Sequence, residues 1–102
     1  MSLPKIAITV GDPSGIGPEI AVKAAADQRV RDVCVPVLYG PHTGDEIDKF
    51  PIGRVNAAAG KAAYDAIVAA AHDAMAGTVD AMATAPINKA AFAAAGYRAL
   101  QR

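Results

Sequence analysis

The sequence has little cysteine, few aromatic residues and no excess of either charge, and each shortage excludes a class of protein. Its single cysteine, Cys34, excludes an internal disulfide framework and favours a reducing cytoplasm. Ten basic residues balance ten acidic ones, so no net positive charge is available to bind nucleic acid. No apolar run approaches the length of about 18 residues that spans a bilayer, and Met1 to Lys5 do not resemble a secretory signal. We therefore expect a cytoplasmic protein without a nucleic-acid or membrane partner.

The composition also limits the core. The 102 residues suffice for one domain. Apolar residues make up 53% of the chain, but it has no Trp and only 5% of its residues are aromatic, so the core must consist mainly of Ala, Val, Ile and Leu. Because small side chains bury little area each, we expect modest stability for the chain alone, which association into an oligomer would increase.

Apolar runs that end at glycine or proline predict strands that alternate with helices. Pro36 lies inside the second run and favours an edge position for that strand. This alternation is typical of a parallel sheet with helices on both faces, so the predicted fold class is α/β. The predicted strands cover 6–10, 33–39 and 79–84, the predicted helices cover 18–26, 57–76 and 89–95, and a turn-rich loop is expected at 42–53.

Side-chain patterns refine this outline. The first strand is apolar along its whole length, which predicts that both of its faces are covered. One face of the long helix carries a stripe of side chains that is expected to form the core. Cys34, in the second predicted strand, is expected to be a buried structural thiol. His42 and His72 belong to no metal-ligand spacing. The core stripe consists of Tyr64, Ile67 or Val68, Ala71 and Met75.

A turn rich in glycine and proline, Gly11 to Glu19, follows the first predicted strand. Glycines let the backbone approach a ligand closely, and the N-terminus of the next helix offers N–H groups to a phosphate or carboxylate. The Gly-x3-Gly-x-Gly spacing is neither the dinucleotide fingerprint nor a Walker A loop, so a simple strand-to-helix turn with a positive φ remains the alternative. Likewise, Asp12 could orient a substrate hydroxyl or only cap the turn. The candidate substrate-binding residues are Gly11, Asp12, Ser14, Gly15 and Gly17.

A second polar segment follows the third predicted strand. Asn88 offers a hydrogen-bonding amide and Lys89 offers a positive charge. Parallel strands end at one edge of the sheet, where ligands bind in open α/β folds, so both segments are expected at that edge. The alternative is that Asn88 only caps a helix and Lys89 is a solvated lysine at its start.

Two segments carry a resemblance to a known family. Ile6 to Glu19, and Thr84 to Ala91 with the following Ala95-Gly96, resemble 4-hydroxythreonine-4-phosphate dehydrogenases. Gly53 to Tyr64 is similar to the helix before the second motif, especially in the branch that acts on four-carbon sugar-acid phosphates. The resemblance implies a two-domain fold like that of isocitrate and isopropylmalate dehydrogenases, and a homodimer with its active cleft between domains.

The resemblance also implies a reaction and roles for residues. The family's enzymes of pyridoxal phosphate biosynthesis use NAD(P) to oxidise a secondary alcohol of a phosphorylated four-carbon acid, which then loses carbon dioxide, and a divalent metal ion assists. On this chain the resemblance implies that Lys89 is a catalytic residue. An electrostatic or positioning role for Lys89 is favoured over proton transfer. The implied substrate-binding residues are Gly11, Asp12, Ser14, Gly15, Gly17 and Asn88.

The chain departs from the family pattern in length. Family members continue after Ala-Gly with a Gly-His-Thr-Glu motif, whereas Gly96 is followed here by Tyr97 to Arg102. Their metal-binding histidines and nucleotide site lie later still, and the stretch between Tyr39 and Pro51 is shorter here, as if a block were deleted. We therefore expect residues 1–102 to be a single partial α/β domain, the N-terminal portion of a longer enzyme, inactive alone and without ligands for NAD(P) or metal. The alternatives are a non-catalytic module that binds a phosphorylated metabolite or another subunit, and an independent flavodoxin-like domain.

Overall fold

The structure, a computed structural model, describes residues 2–97. Strands alternate with helices as the sequence predicts, and two short additional helices lie between the predicted elements. No helix within 2–97 is long and apolar enough to cross a membrane. In chain order the elements are β1 Lys5–Thr9, α1 Gly17–Ala26, α2 Gln28–Arg31, β2 Val35–Tyr39, α3 Gly44–Ile47, α4 Ala57–Met75, β3 Ala81–Thr84 and α5 Lys89–Ala94.

The three strands form a parallel sheet in the order β2-β1-β3. β1 lies in the centre, with Ala7 opposite Val37 on one side and Met82 on the other. The chain therefore leaves β1 in one direction and crosses back over it from β2 to β3. Since such crossovers are right-handed, α1 and α4 cover opposite faces of the sheet. The predicted α/β class and the edge position of the strand containing Pro36 are both confirmed.

The face of the sheet that carries Ala7 packs against α4. The fully buried side chains there are Ala7 and Ala70, with Val79 beside them, and Val37 and Met82 of the outer strands complete the cluster. The opposite face of β1 is less well covered, since Ile6 and Ile8 are only half-buried. The prediction that both faces of β1 are covered is therefore confirmed for the α4 side and met only in part on the other, because α1 contacts β2 more than β1.

The stripe predicted for the core side of α4 is wrong for most of its members, because only Ile67 and Ala71 are even half-buried. Val68 is 46% exposed and Met75 is 91% exposed, while Tyr64 lies at the side of the helix and stacks on Tyr97. The face that packs inward is made of small residues, which let α4 approach the sheet and α5 closely. The buried residues of α4 are Ala59, Gly60, Ala63, Ala66 and Ala70.

Local hydrogen bonding explains the two short helices that the sequence analysis missed. Asp27 caps α2 by accepting from the Arg29 amide. Within the predicted 42–53 loop, Thr43 and Glu46 form a capping box that begins α3. Such single turns depend on their caps rather than on an apolar face, so periodicity does not detect them. Cys34, predicted to be buried, is partly exposed just before β2.

A hydrogen bond joins the end of β2 to α4, because the Tyr39 hydroxyl donates to Oδ2 of Asp73 over 2.6 Å. This bond to a carboxylate, with some desolvation and the carboxylate's negative charge, raises the pKa of Tyr39 above its ordinary value of 10.0. The phenol form is the one that donates. The contribution to stability is therefore fully present below the unfolded-state pKa and is lost as the pH rises through the folded-state pKa.

We expect Asp73→Asn to lower the pKa of Tyr39, since the amide carries no negative charge. An ultraviolet titration of phenolate, with Tyr39→Phe used to assign the transition, measures the change. An identical Tyr39 transition in the native protein and in Asp73→Asn would contradict this interpretation.

Candidate functional site

The two polar segments singled out in the sequence meet at the carboxyl edge of the sheet. The backbone N–H of Asp12 donates to the carbonyl oxygen of Pro86 over 3.1 Å, and the N–H of Ala85 donates to the carbonyl of Thr9 over 2.8 Å. The turn after β1 and the segment after β3 are therefore in direct contact. The prediction that they converge at one edge is confirmed.

Two of the candidate glycines are required by packing within the chain. Gly11 has φ +73°, and a Cβ on it would overlap the carbonyl oxygen of Pro86. A Cβ on Gly17 would overlap the carbonyl oxygen of Val10. For Gly11 and Gly17 the structure thus supports the turn interpretation, because the chain's own backbone fills the space that a ligand would need.

Gly15 differs from the other two glycines. A Cβ there would meet nothing closer than the carbonyl oxygen of Asp12, at 3.5 Å, and Gly15 is exposed. Ile16 and Glu19 beside it are exposed as well, and no side chain caps the N-terminus of α1. The second half of the turn, at the start of α1, is therefore its exposed part, where free N–H groups can receive an anion.

Asp12 and Ser14 form the buried half of the turn. Asp12 is 5% exposed and Ser14 is 2% exposed. The Ser14 N–H donates to Oδ1 of Asp12 over 2.8 Å, which closes an Asx turn. The carboxylate of Asp12 is thus held in a fixed place at the sheet edge, where it can accept a hydrogen bond from a hydroxyl or ammonium group.

A third segment supports the turn, and the sequence analysis did not include it in the site. The Gly53 N–H donates to the carbonyl oxygen of Ser14 over 2.7 Å, and Nδ2 of Asn56 donates to Oγ of Ser14 over 2.9 Å. Asn56 also caps α4. An asparagine directly before a helical stretch is a recognisable cap signal, but its bond to Ser14, 42 residues away, is visible only in the fold.

Asn88 and Lys89 begin α5. Oδ1 of Asn88 accepts from the Ala91 N–H over 3.0 Å, so the capping alternative is correct for that oxygen. Lys89 is the first residue of α5 and is exposed. In the sequence it lies three positions after Pro86, the residue whose carbonyl oxygen contacts Asp12.

α5 itself is held against α4. A Cβ on Gly60 of α4 would overlap the carbonyl oxygen of Ala91, so the two helix backbones touch at this point. Phe92 packs edge-on against Tyr64 and Tyr97, whose rings are stacked with centroids 3.8 Å apart. These contacts determine where Asn88 and Lys89 stand relative to the turn.

A largely apolar cavity of about 530 Å³ opens beside the exposed half of the turn. It carries two carboxylates and no basic side chain among its lining residues. The cavity lies between the start of α1 and the segment after α3, and its lining comprises Pro13, Gly15, Ile16, Pro18, Glu19, Ile47, Asp48, Phe50 and Ile52.

Within residues 2–97, no three His, Cys, Asp or Glu side chains are grouped so as to hold a metal ion. The ring Nδ1 of His42 lies 2.8 Å from the carbonyl oxygen of Gly40, and His72 is an exposed residue of α4. The described residues therefore do not fit a divalent metal by themselves.

Comparisons with known proteins identify the family. Residues 8–101 match the family described as "Pyridoxal phosphate biosynthetic protein PdxA". A Clostridium botulinum protein with the provisional name D-threonate 4-phosphate dehydrogenase is 33% identical over an aligned length of 123 residues, and the alignment covers 84% of this chain and 37% of that protein.

Solved structures show the same relationship. A crystal structure of a 4-hydroxythreonine-4-phosphate dehydrogenase from Burkholderia phymatum superposes with a TM-score of 0.88 at 28% identity, over 100% of this chain and 42% of that one. A terephthalate 1,2-cis-dihydrodiol dehydrogenase from Burkholderia xenovorans LB400 superposes with a TM-score of 0.69 at 35% identity, over 92% and 37%. The expected dehydrogenase fold is thus confirmed.

The chain spans only 37 to 42% of the length of these three proteins. Its family, in contrast, is clear, because the family match extends over nearly the whole of this chain. The match over residues 8–101, in a fold shared with 4-hydroxythreonine-4-phosphate dehydrogenase, shows that this chain belongs to the PdxA family of pyridoxal phosphate biosynthetic proteins.

Proposed function

We propose that this chain is the N-terminal part of an NAD(P)- and metal-dependent dehydrogenase that oxidises and decarboxylates a phosphorylated four-carbon hydroxy acid. The observation that carries the proposal is the hydrogen bond from the Asp12 N–H to the Pro86 carbonyl, which unites the two family motifs at one sheet edge. The names of the relatives support two substrates, 4-hydroxythreonine 4-phosphate and D-threonate 4-phosphate. A partial domain, a cytoplasmic location and a homodimer belong to the same proposal.

Each candidate residue has a proposed task. Lys89 supplies the positive charge that attracts the anionic part of the substrate, and the N–H groups at the start of α1, reached past Gly15, bind it. The buried carboxylate of Asp12 accepts a hydrogen bond from a substrate hydroxyl or ammonium. Gly11, Gly17, Ser14 and Asn88 hold these groups in place through the backbone contacts and the cap described above.

NAD(P) would accept the hydride and a divalent metal ion would polarise the alcohol, and we assign neither group to residues 2–97. They contain no group of three metal-ligating side chains, and the backbone faces of Gly11 and Gly17 are occupied by carbonyl groups of the chain. We therefore propose that the remaining length of the family enzymes supplies both sites, and that residues 1–102 do not turn over substrate alone.

A specific observation supports a second candidate. The cavity beside Gly15 is mostly apolar, which suits a ring better than a phosphate, and the carboxylates of such a substrate would have to lie away from Glu19 and Asp48. The dihydrodiol dehydrogenase from Burkholderia xenovorans also has the higher identity of the two solved structures compared above, 35% against 28%. Oxidation of a carboxylated cyclic diol is therefore the second candidate.

Calorimetric titration of the chain with inorganic phosphate tests the anion site. We expect weak binding, with a Kd on the order of 1 mM, that weakens about threefold to fivefold in Lys89→Gln because an exposed charge contributes at most about 1 kcal/mol. Gly15→Val should abolish binding by covering the start of α1, since the space there admits a side chain without a clash. Lys23→Gln, which removes one exposed positive charge at the other end of α1, is the matched control.

The outcomes separate the candidates. Equal losses in Lys89→Gln and Lys23→Gln, or no phosphate binding by the native chain, would contradict the phosphate site. Binding of terephthalate instead of phosphate, lost in Gly15→Val, would support the dihydrodiol candidate. The rest of a family enzyme can also be added as a separate chain. If phosphate binding then stays unchanged and no dehydrogenase activity appears, the non-catalytic module is supported.

A further inference from the structure

The side chain of Asn56 connects two elements that are distant in the sequence. Its Oδ1 accepts from the Ala59 N–H over 2.7 Å and so caps α4. Its Nδ2 donates to Oγ of Ser14 over 2.9 Å. Since the atom that faces the Ala59 N–H must be an acceptor, the cap itself determines that the amide nitrogen faces Ser14.

Capping alone does not require asparagine at this position. Serine, threonine and aspartate are preferred N-caps as well, and this chain uses Asp27 for α2 and Thr43 for α3. Among the preferred capping side chains, only that of asparagine accepts a bond from the helix and donates an N–H elsewhere at the same time. The bond to Ser14 is therefore what the choice of asparagine adds.

Ser14 links Asn56 to Asp12 through its own hydrogen bonds. Its side chain accepts from Asn56, its carbonyl oxygen accepts from the Gly53 N–H over 2.7 Å, and its own N–H donates to Oδ1 of Asp12 over 2.8 Å. Ser14 is 2% exposed, so none of these bonds is exchanged freely for water. A displacement of Ser14 must therefore move the carboxylate of Asp12 or cost a buried hydrogen bond.

We propose that Asn56 is a positioning residue of the site: it holds Ser14, and through Ser14 the carboxylate of Asp12, at the sheet edge where substrate binds. The inference rests on the proposed function, because that function makes the turn a binding element. Asn56 itself does not touch the substrate. It links the start of α4 to the turn, so the two act as one unit.

A double-mutant cycle tests the link. Asn56→Ser keeps a capping oxygen but is too short to reach Ser14, and Ser14→Ala removes the acceptor while keeping the backbone. We expect the Ser14 amide to lose about tenfold in hydrogen-exchange protection in each variant, the size of one net hydrogen bond, and to lose nothing more in the double variant. The Ala59 amide should stay protected in Asn56→Ser, since serine also caps the helix.

Comparing the ligand affinity of Asn56→Ser with its thermal stability distinguishes a positioning role from a purely structural one. In Asn56→Ser we expect the affinity for glycerol 1-phosphate, whose hydroxyl groups can donate to Asp12, to fall about fivefold while the Tm stays within about 4 °C of the native value, a range that corresponds to less than one lost hydrogen bond. Thr43→Ser, a change of cap on α3 away from the turn, is the control and should leave both quantities unchanged.

Two results would overturn the proposal. One is an unchanged exchange rate for the Ser14 amide in Asn56→Ser, and the other is a double variant whose loss equals the sum of the single losses. If the native chain binds no phosphate, the proposed function fails, but the exchange measurements still decide whether Asn56 positions the turn.

Discussion

Gly11→Ala is expected to lower the free energy of unfolding by about 3 kcal/mol. Gly11 has φ +73°, a conformation that costs an L-residue about 1–2 kcal/mol. The new Cβ would also overlap the carbonyl oxygen of Pro86, and relieving such overpacking costs about 1–3 kcal/mol. Urea denaturation followed by circular dichroism measures the loss.

Gly53→Ala is a matched control for that variant. Gly53 has nearly the same φ, +72°, but no atom within 4 Å of the position that a Cβ would take. The Gly53→Ala variant should lose only the conformational part of the free energy of unfolding, about 1–2 kcal/mol. Equal losses in Gly11→Ala and Gly53→Ala would show that the contact with Pro86 contributes nothing.

Gly60→Ala should destabilise the chain by about 2 kcal/mol, although alanine favours a helix interior by about 1 kcal/mol over glycine. The reason is the close approach of the backbones, since a Cβ on Gly60 would overlap the Ala91 carbonyl and lie within about 3 Å of the Phe92 nitrogen. α5 would have to move away from α4. Thermal unfolding measures the stability, and near-ultraviolet circular dichroism reports the Tyr64–Tyr97 stack.

Gly44→Ala provides the comparison for Gly60→Ala. Gly44 begins α3 and has no atom within 4 Å of an added Cβ. It should be neutral or slightly stabilising, because only helix propensity changes. A stabilising effect of Gly60→Ala similar to that of Gly44→Ala would contradict the close packing of α4 and α5.

Much of the architecture could be predicted from local signals. β-branched runs ended by Gly11 and by Gly40 located the first two strands, and the alternation with helices indicated a parallel sheet. Because parallel strands end at a common edge, the contact between the turn and the Pro86 segment also followed. The helix start at Asn88 was predictable from its capping side chain.

Other features depended on tertiary packing. In α4 alanines lie on every side of the helix, so periodicity could not decide which face is buried, and the larger Val68 and Met75 misled the prediction. Nothing in the sequence distinguishes Gly60 from other helical residues, because its contact with Ala91 exists only in the fold. The role of Asn56 was missed because its partner lies 42 residues earlier in the chain.

The position of β1 in the middle of the sheet has a consequence for synthesis. The first strand to leave the ribosome has neighbours on both sides that are made later, and its second neighbour, β3, ends only at Thr84. Since parallel pairings over such distances form slowly, the nascent chain carries the apolar Ile6 and Ile8 without a complete sheet at least until Thr84 has been made. Chaperones that shield short β-branched segments would therefore meet this protein at its N-terminus.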